Sequence, residues 1–156
     1  MKNIVIDNTR ISYIDKGKGQ IILFIHGLFF PKEGFIPLIE ILSKKAKENK
    51  IGFVGINSND PINYTTDSWE NMVKRANSGM SYPYLVDDTQ EVAIKYGAER
   101  TPEFYLVNKS GLVVYRGRMD DSPRDPSHAT TSELSDAIDF IVKGKNISES
   151  RTVSIG

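Results

Sequence analysis

Several groups of side chains in this sequence are capable of chemistry. His26 closes the apolar run Ile21–Ile25 and stands just ahead of a helical stretch. The positive end of a helix dipole discourages an imidazole there from protonating, so it could serve as a base or a ligand; the ordinary alternative is a loop histidine bonded to backbone. Arg100 directly precedes Thr101-Pro102. If that peptide is cis, Arg100 projects toward the same end of the sheet as His26 and could recognise an anion or a peptide carboxylate; otherwise it is a surface arginine with no role. His128, the only other histidine, lies near Asp120, Asp121 and Asp125. That set is rich in oxygen, but its spacing matches no metal motif such as an EF-hand loop, and a solvated loop with no metal is expected. Ser43 and Ser58 are the serines near strands, yet no G-x-S-x-G elbow occurs to activate either. Asp60 and Asp67 read as turn and cap residues.

The chain contains no cysteine. Thiol–disulfide exchange needs a thiolate, and no other side chain replaces sulfur in that step. Disulfides are excluded as well, which fits a cytoplasmic protein. Lysine and arginine total 20, as do aspartate and glutamate, so no net charge draws the surface toward nucleic acid or anionic membranes. Ile21–Ile25 is too short to span a bilayer, and Asp7, Asn8 and Arg10 interrupt any signal pattern at the N-terminus. At 156 residues, 39% hydrophobic and 26% charged, the chain suits one domain over 1–156 with a substantial core. Lys16-Gly17-Lys18-Gly19 is too short for a phosphate loop and precedes a strand, so no cofactor is expected. The oligomeric state is not legible.

Strand and helix signals alternate around these residues. Ile4–Ile6 and Ile11–Ile14 predict a hairpin across the polar stretch 7–10. Ile21–Ile25 is apolar on both faces, as a central strand must be. A helix is predicted over Phe35–Glu48, with Phe35, Leu38, Ile39, Leu42 and Ala46 inward and Lys44, Lys45 and Lys47 on a solvated face. Ile51–Ile56 is a second buried strand. Asp67-x-x-Glu70 reads as a capping box for a helix whose core stripe is Trp69, Met72, Val73 and Ala76, closed by Gly79. A strand at Tyr84–Val86 precedes a helix over Val92–Tyr96, capped by Asp88-x-x-Glu91. Phe104–Val107 and Leu112–Arg116 pair across Asn108-Lys109-Ser110-Gly111. Thr130-x-x-Glu133 caps a last helix with Leu134, Ala137, Ile138 and Ile141 inward, and residues 145–156 read as a polar, loosely ordered tail. This order predicts an α/β fold of thioredoxin-like plan, a mixed central sheet flanked by helices, with an N-terminal β-hairpin.

Long strings within residues 51–156 resemble a known family. Val54-Gly55-Ile56-Asn57-Ser58-Asn59-Asp60, Tyr82-Pro83-Tyr84-Leu85-Val86-Asp87-Asp88-Thr89-Gln90-Glu91-Val92-Ala93, Arg100-Thr101-Pro102-Glu103-Phe104-Tyr105-Leu106 and Val114-Tyr115-Arg116-Gly117-Arg118-Met119-Asp120-Asp121 are similar, in order and spacing, to redoxins of the alkyl hydroperoxide reductase/thiol-specific antioxidant group. The resemblance implies a thioredoxin-like fold with Thr101–Pro102 in the place of the family's cis-proline loop. It also implies a reactive CxxC-type pair where this chain has His26 and Phe29. Residues 11–27, ending in Leu23-Phe24-Ile25-His26-Gly27, resemble instead the opening of an α/β-hydrolase, whose His-Gly loop helps form an oxyanion hole.

These resemblances imply a protein silent in thiol chemistry that retains the family's peptide groove, lined by His26, Gly27, Phe29, Phe30, Arg100, Thr101 and Pro102. An extended peptide or protein segment is the expected partner, held by strand-like pairing. Three alternatives stand beside this expectation. One is an antioxidant thiol–disulfide oxidoreductase whose cysteines are missing from this chain. Another is a residual esterase using His26-Gly27. The last is a designed or recombined sequence with no natural function.

Overall fold

The computed structural model describes residues 2–6, 9–13, 21–26, 32–122 and 125–155, with side chains from residue 39 onward, Pro126 excepted. Strands β1 (Lys2–Ile6) and β2 (Thr9–Tyr13) form a separate antiparallel hairpin, Ile6 opposite Thr9. The central sheet has five strands, β3 (Ile21–His26), β4 (Gly52–Asn57), β5 (Tyr84–Val86), β6 (Glu103–Val107) and β7 (Val113–Gly117), in the order β5-β4-β3-β6-β7. The β3–β4 and β4–β5 pairs are parallel, and the β3–β6 and β6–β7 pairs antiparallel. Helices α1 (Lys32–Glu48), α2 (Trp69–Asn77), α3 (Glu91–Tyr96) and α4 (Glu133–Val142) complete the fold.

Alternation along the strands divides the core in two, because successive side chains leave opposite faces of a sheet. Phe53, Phe104, Leu106 and Tyr115 pack on one face with Ile39, Leu42 and Ala46 of α1 and Leu134, Ala137 and Ile138 of α4. Ile56 and Tyr105 face the other way, against Val54, Leu85 and, on or just after α3, Val92, Tyr96 and Ala98. Full burial stabilises each large apolar side chain by roughly 1.5–3 kcal/mol, and the first face holds most of them. Lys45, expected on a solvated face, instead crosses from α1 to α4, donating to the Ser135 hydroxyl at 2.6 Å and pairing with Asp139 at 2.7 Å.

All three predicted capping boxes are displaced by a residue or two. Ser68, not Asp67, accepts the Asn71 N–H at the start of α2. Asp87, not Asp88, caps α3, taking the N–H groups of Val92 and Ala93 at 3.1 and 3.0 Å. Ser132 occupies the N-cap of α4, while Glu133 turns inward to Arg118. At Asp67 and Glu133 the local motif competes with an arginine for the acidic side chain, and the buried charge costs more if left unpaired. Trp69 is a further correction. It is exposed, because α2 contributes only Met72 to the buried side.

Within the segment 145–156, expected to be loose, residues 150–152 are held against β7. Arg116 N–H donates to the Ser150 carbonyl, Thr152 N–H donates to the Arg116 carbonyl, and Arg151 bridges Arg116 in parallel. Thr152 and Ser154 are buried. The Thr152 hydroxyl lies 2.9 Å from the Tyr115 hydroxyl, whose pKa burial pushes up to about 12. Backbone pairing with the open edge of β7 gives this polar stretch an ordering energy that its composition does not reveal. Gly117 is what admits it. Its φ is +145°, and a Cβ there would lie 2.1 Å from Thr152 Oγ1 and 2.6 Å from the Thr152 carbonyl oxygen. Gly117→Ala is therefore expected to destabilise the fold by about 1–3 kcal/mol in urea denaturation, with hydrogen-exchange protection lost first at 150–154. Unchanged protection there would show that the tail does not need the glycine.

Candidate functional site

Three parallel strands and one antiparallel strand bring four chain ends to one edge of the sheet. The register sets His26 beside Asn57 on β4 and Ile25 beside Glu103 on β6. Pro102 directly precedes Glu103 in the chain, so its loop begins where that ladder ends. Ligands of open α/β sheets bind beyond the carboxyl ends of the parallel strands, and this edge is that place. The Thr101–Pro102 peptide bond is cis. Pro102 is buried, Thr101 half-buried and Arg100 exposed. Among the described residues, no backbone group pairs with the N–H or C=O of Thr101. Gly27, Phe29 and Phe30 lie outside the described residues, as does the side chain of His26.

Beneath this loop sits an ion pair that fixes it. Glu103 is only 3% exposed. One carboxylate oxygen accepts from Arg116 Nε at 2.7 Å, and the other accepts the N–H of Glu99 at 3.1 Å. Arg116 also donates to the Gly97 carbonyl, lies 3.4 Å from the Glu99 carboxylate, and sits over the Tyr105 ring, 5.7 Å from its centroid. The Glu103 hydrogen bond raises the Arg116 pKa further, so the guanidinium keeps its charge. The pair thus ties both ends of the 97–103 loop to the sheet.

A second polar group stands at the ends of β4 and β5. Buried Asn57 donates to the Asp67 carbonyl at 3.0 Å, and its own carbonyl accepts the Asn59 N–H at 3.1 Å. The Asp67 carboxylate accepts from Asn59 at 2.7 Å and from Arg75 at 2.9 Å. Ser58 donates to Asp87 at 2.8 Å, and Gln90 donates to the Ser58 carbonyl at 2.8 Å. These bonds hold the loop after β4 against the starts of α2 and α3, shaping one wall of the edge. Burial pushes the nearby Tyr84 hydroxyl up to about 12, so it stays neutral at ordinary pH.

The other candidates separate. Ser58 serves Asp87, and buried Ser43 shares a hydrogen bond with Ser81 at 3.1 Å, so neither is activated by a histidine among the described residues. Among the described residues, His128 pairs with Asp125, at 2.6 Å. Asp120 accepts the Ser122 N–H, and Asp121 takes the Thr130 hydroxyl and the N–H groups of Thr130 and Thr131. No group of three or more metal-ligating side chains occurs among the described residues. Glu103, Arg116, Asn57 and Asp87 are the structural residues that sequence reasoning missed. Their signal was a charged or amide side chain abutting an otherwise apolar strand, a placement that demands a partner.

A five-stranded sheet of this order, with helices on both faces and a cis-proline loop at the strand ends, defines a thioredoxin-like protein. The Redoxin family profile matches residues 5–137, and the chain belongs to that family. It is similar to an uncharacterized conserved protein from Geobacillus kaustophilus, 34% identical with a TM-score of 0.75 over 88% of this chain and 74% of that one. It is also similar to a hypothetical protein from Sinorhizobium meliloti 1021, 30% identical with a TM-score of 0.73 over 90% and 78%. A thiol-disulfide isomerase from Corynebacterium glutamicum, 16% identical, shares the fold with a TM-score of 0.57 over 86% and 83%. No match was found among curated protein sequences. The Redoxin match runs through residues 11–27, so the α/β-hydrolase resemblance of that segment is not supported.

Two measurements probe these networks. Arg116→Met leaves the Glu103 carboxylate buried and unpaired, and is expected to cost about 3–5 kcal/mol in chemical denaturation; Glu103→Gln added to it should restore part of that loss. The Asp121 carboxyl is pulled from 3.8 to about 2 by its threonine hydrogen bonds. Its stabilising effect is therefore complete above the unfolded value and lost as pH falls through the folded one. Carboxyl NMR titration should find the midpoint near 2, and Asp121→Asn should flatten the acid limb of the stability curve between those values.

Proposed function

We propose that this Redoxin-family chain is inactive in thiol–disulfide exchange and instead holds an extended peptide or protein segment at the sheet edge near residues 100–102, with His26, Gly27, Phe29 and Phe30 as further candidate contacts. The similarity to the alkyl hydroperoxide reductase/thiol-specific antioxidant group belongs to this proposal as ancestry of the scaffold, not as activity. The observation that carries it is the retention of a braced, partly buried Arg100–Pro102 loop in a chain with no cysteine. Exchange forms a mixed disulfide when a thiolate attacks one sulfur and expels the other. Without a thiolate neither bond change begins. Binding needs only backbone groups and shape, and Thr101 offers an N–H and a C=O at the sheet end. Absence of disulfides makes the cytoplasm a suitable location within the same proposal.

Peroxide with a dithiol reductant should show no catalytic turnover. Methionine sulfoxide formation limits consumption to one equivalent per methionine, four in all. Sustained turnover beyond that would overturn the proposal. An extended-peptide library titrated into labelled protein should shift amide resonances at 24–31 and 99–103, and Arg100→Ala should weaken peptides carrying a carboxylate. Shifts confined to other surfaces would remove the binding half of the reading.

A further inference from the structure

The outer side of α2 is apolar where solvent should favour charge. Trp69 is 65% exposed and Val73 38%, and Ala76 is exposed with them. Their spacing sets all three on one stripe, while Met72 faces the core and Arg75 reaches back to Asp67. Ile62, 85% exposed, and Tyr64 precede the helix. Beside the stripe stand exposed Glu70 and Lys74, one turn apart with opposite charge.

We infer that this face is a self-complementary contact between two copies of the chain. In an isologous pair the same patch meets itself, so each feature must find its complement within the patch. Two α2 helices packed antiparallel about a two-fold near Met72 and Val73 satisfy that condition. Trp69 then lies over the small Ala76 of the second copy, Val73 meets its own counterpart, and Glu70 faces Lys74 of the second copy twice over. A partner surface of a single charge sign would attract one of these groups and repel the other. The patch is short, so the contact falls at the low end of specific interfaces and the pair is weak, with dissociation in roughly the micromolar range or above.

Trp69 is the only tryptophan, so fluorescence excited selectively at tryptophan reports this surface alone. Sedimentation velocity over a concentration series should show a monomer–dimer equilibrium, with Trp69 emission shifting to the blue as dimer forms. Lys74→Glu and Glu70→Lys should each raise the dissociation constant at least about tenfold by setting like charges opposite one another. Mixing the two variants should restore association, since each then supplies the charge the other lacks. Both positions are exposed, and far-UV circular dichroism checks that the variants fold. A monomer at every concentration would overturn the inference. So would a dimer whose formation leaves Trp69 emission unchanged, or one that neither charge substitution weakens.

Discussion

A carboxylate buried at the head of a central strand must be answered by a cation, and the pairing of Glu103 with Arg116 is where the parts of this protein are joined. Glu103 opens β6, directly after Pro102, and reaches back to the Glu99 N–H. Arg116 belongs to β7 and touches the carbonyl that ends α3, while its backbone pairs with the segment at 150–152. One ion pair therefore connects the middle of the sheet, its edge, a helix terminus and the C-terminal stretch. The loop bearing Arg100 and Thr101 hangs from this junction, so the candidate site inherits its shape from this ion pair.

The opposite wall of the same edge is built differently. Asn57, Ser58 and Asn59 follow an apolar strand with three consecutive polar side chains, each satisfied by a group from another element. Amides and hydroxyls, unlike an ion pair, carry little desolvation cost once each donor finds an acceptor. The network fixes the β4 loop through amides and a hydroxyl, with the carboxylates of Asp67 and Asp87 among its acceptors. Arg100, on the loop between the Glu103 brace and α3, is exposed.

Much of the fold was legible from periodicity. The inward stripe of α4 and the apolar runs of β4 and β6 fell where alternation and helical spacing put them, because burial of those faces is the largest favourable term in folding. Trp69 shows the limit. Its spacing to Met72 and Val73 fits a core stripe, yet a helix nine residues long that lies over one edge of the sheet buries only what the sheet offers it. The capping boxes erred for a related reason. Asp67 and Glu133 have the residue type and spacing of caps, but each lies within reach of an arginine brought from elsewhere in the chain.

The sequence by itself determined that this chain carries no thiol side chain, since composition is independent of folding. It also determined the strand and helix order and the position of the Thr101–Pro102 loop, because these rest on local pattern and on residue identity. Only the tertiary structure decided that Glu103 is matched to Arg116, that residues 150–154 close the edge of β7, and that Trp69 faces water. Each of those outcomes depends on which side chains long-range topology sets within a few ångströms of one another, and no local window of the chain contains that distance.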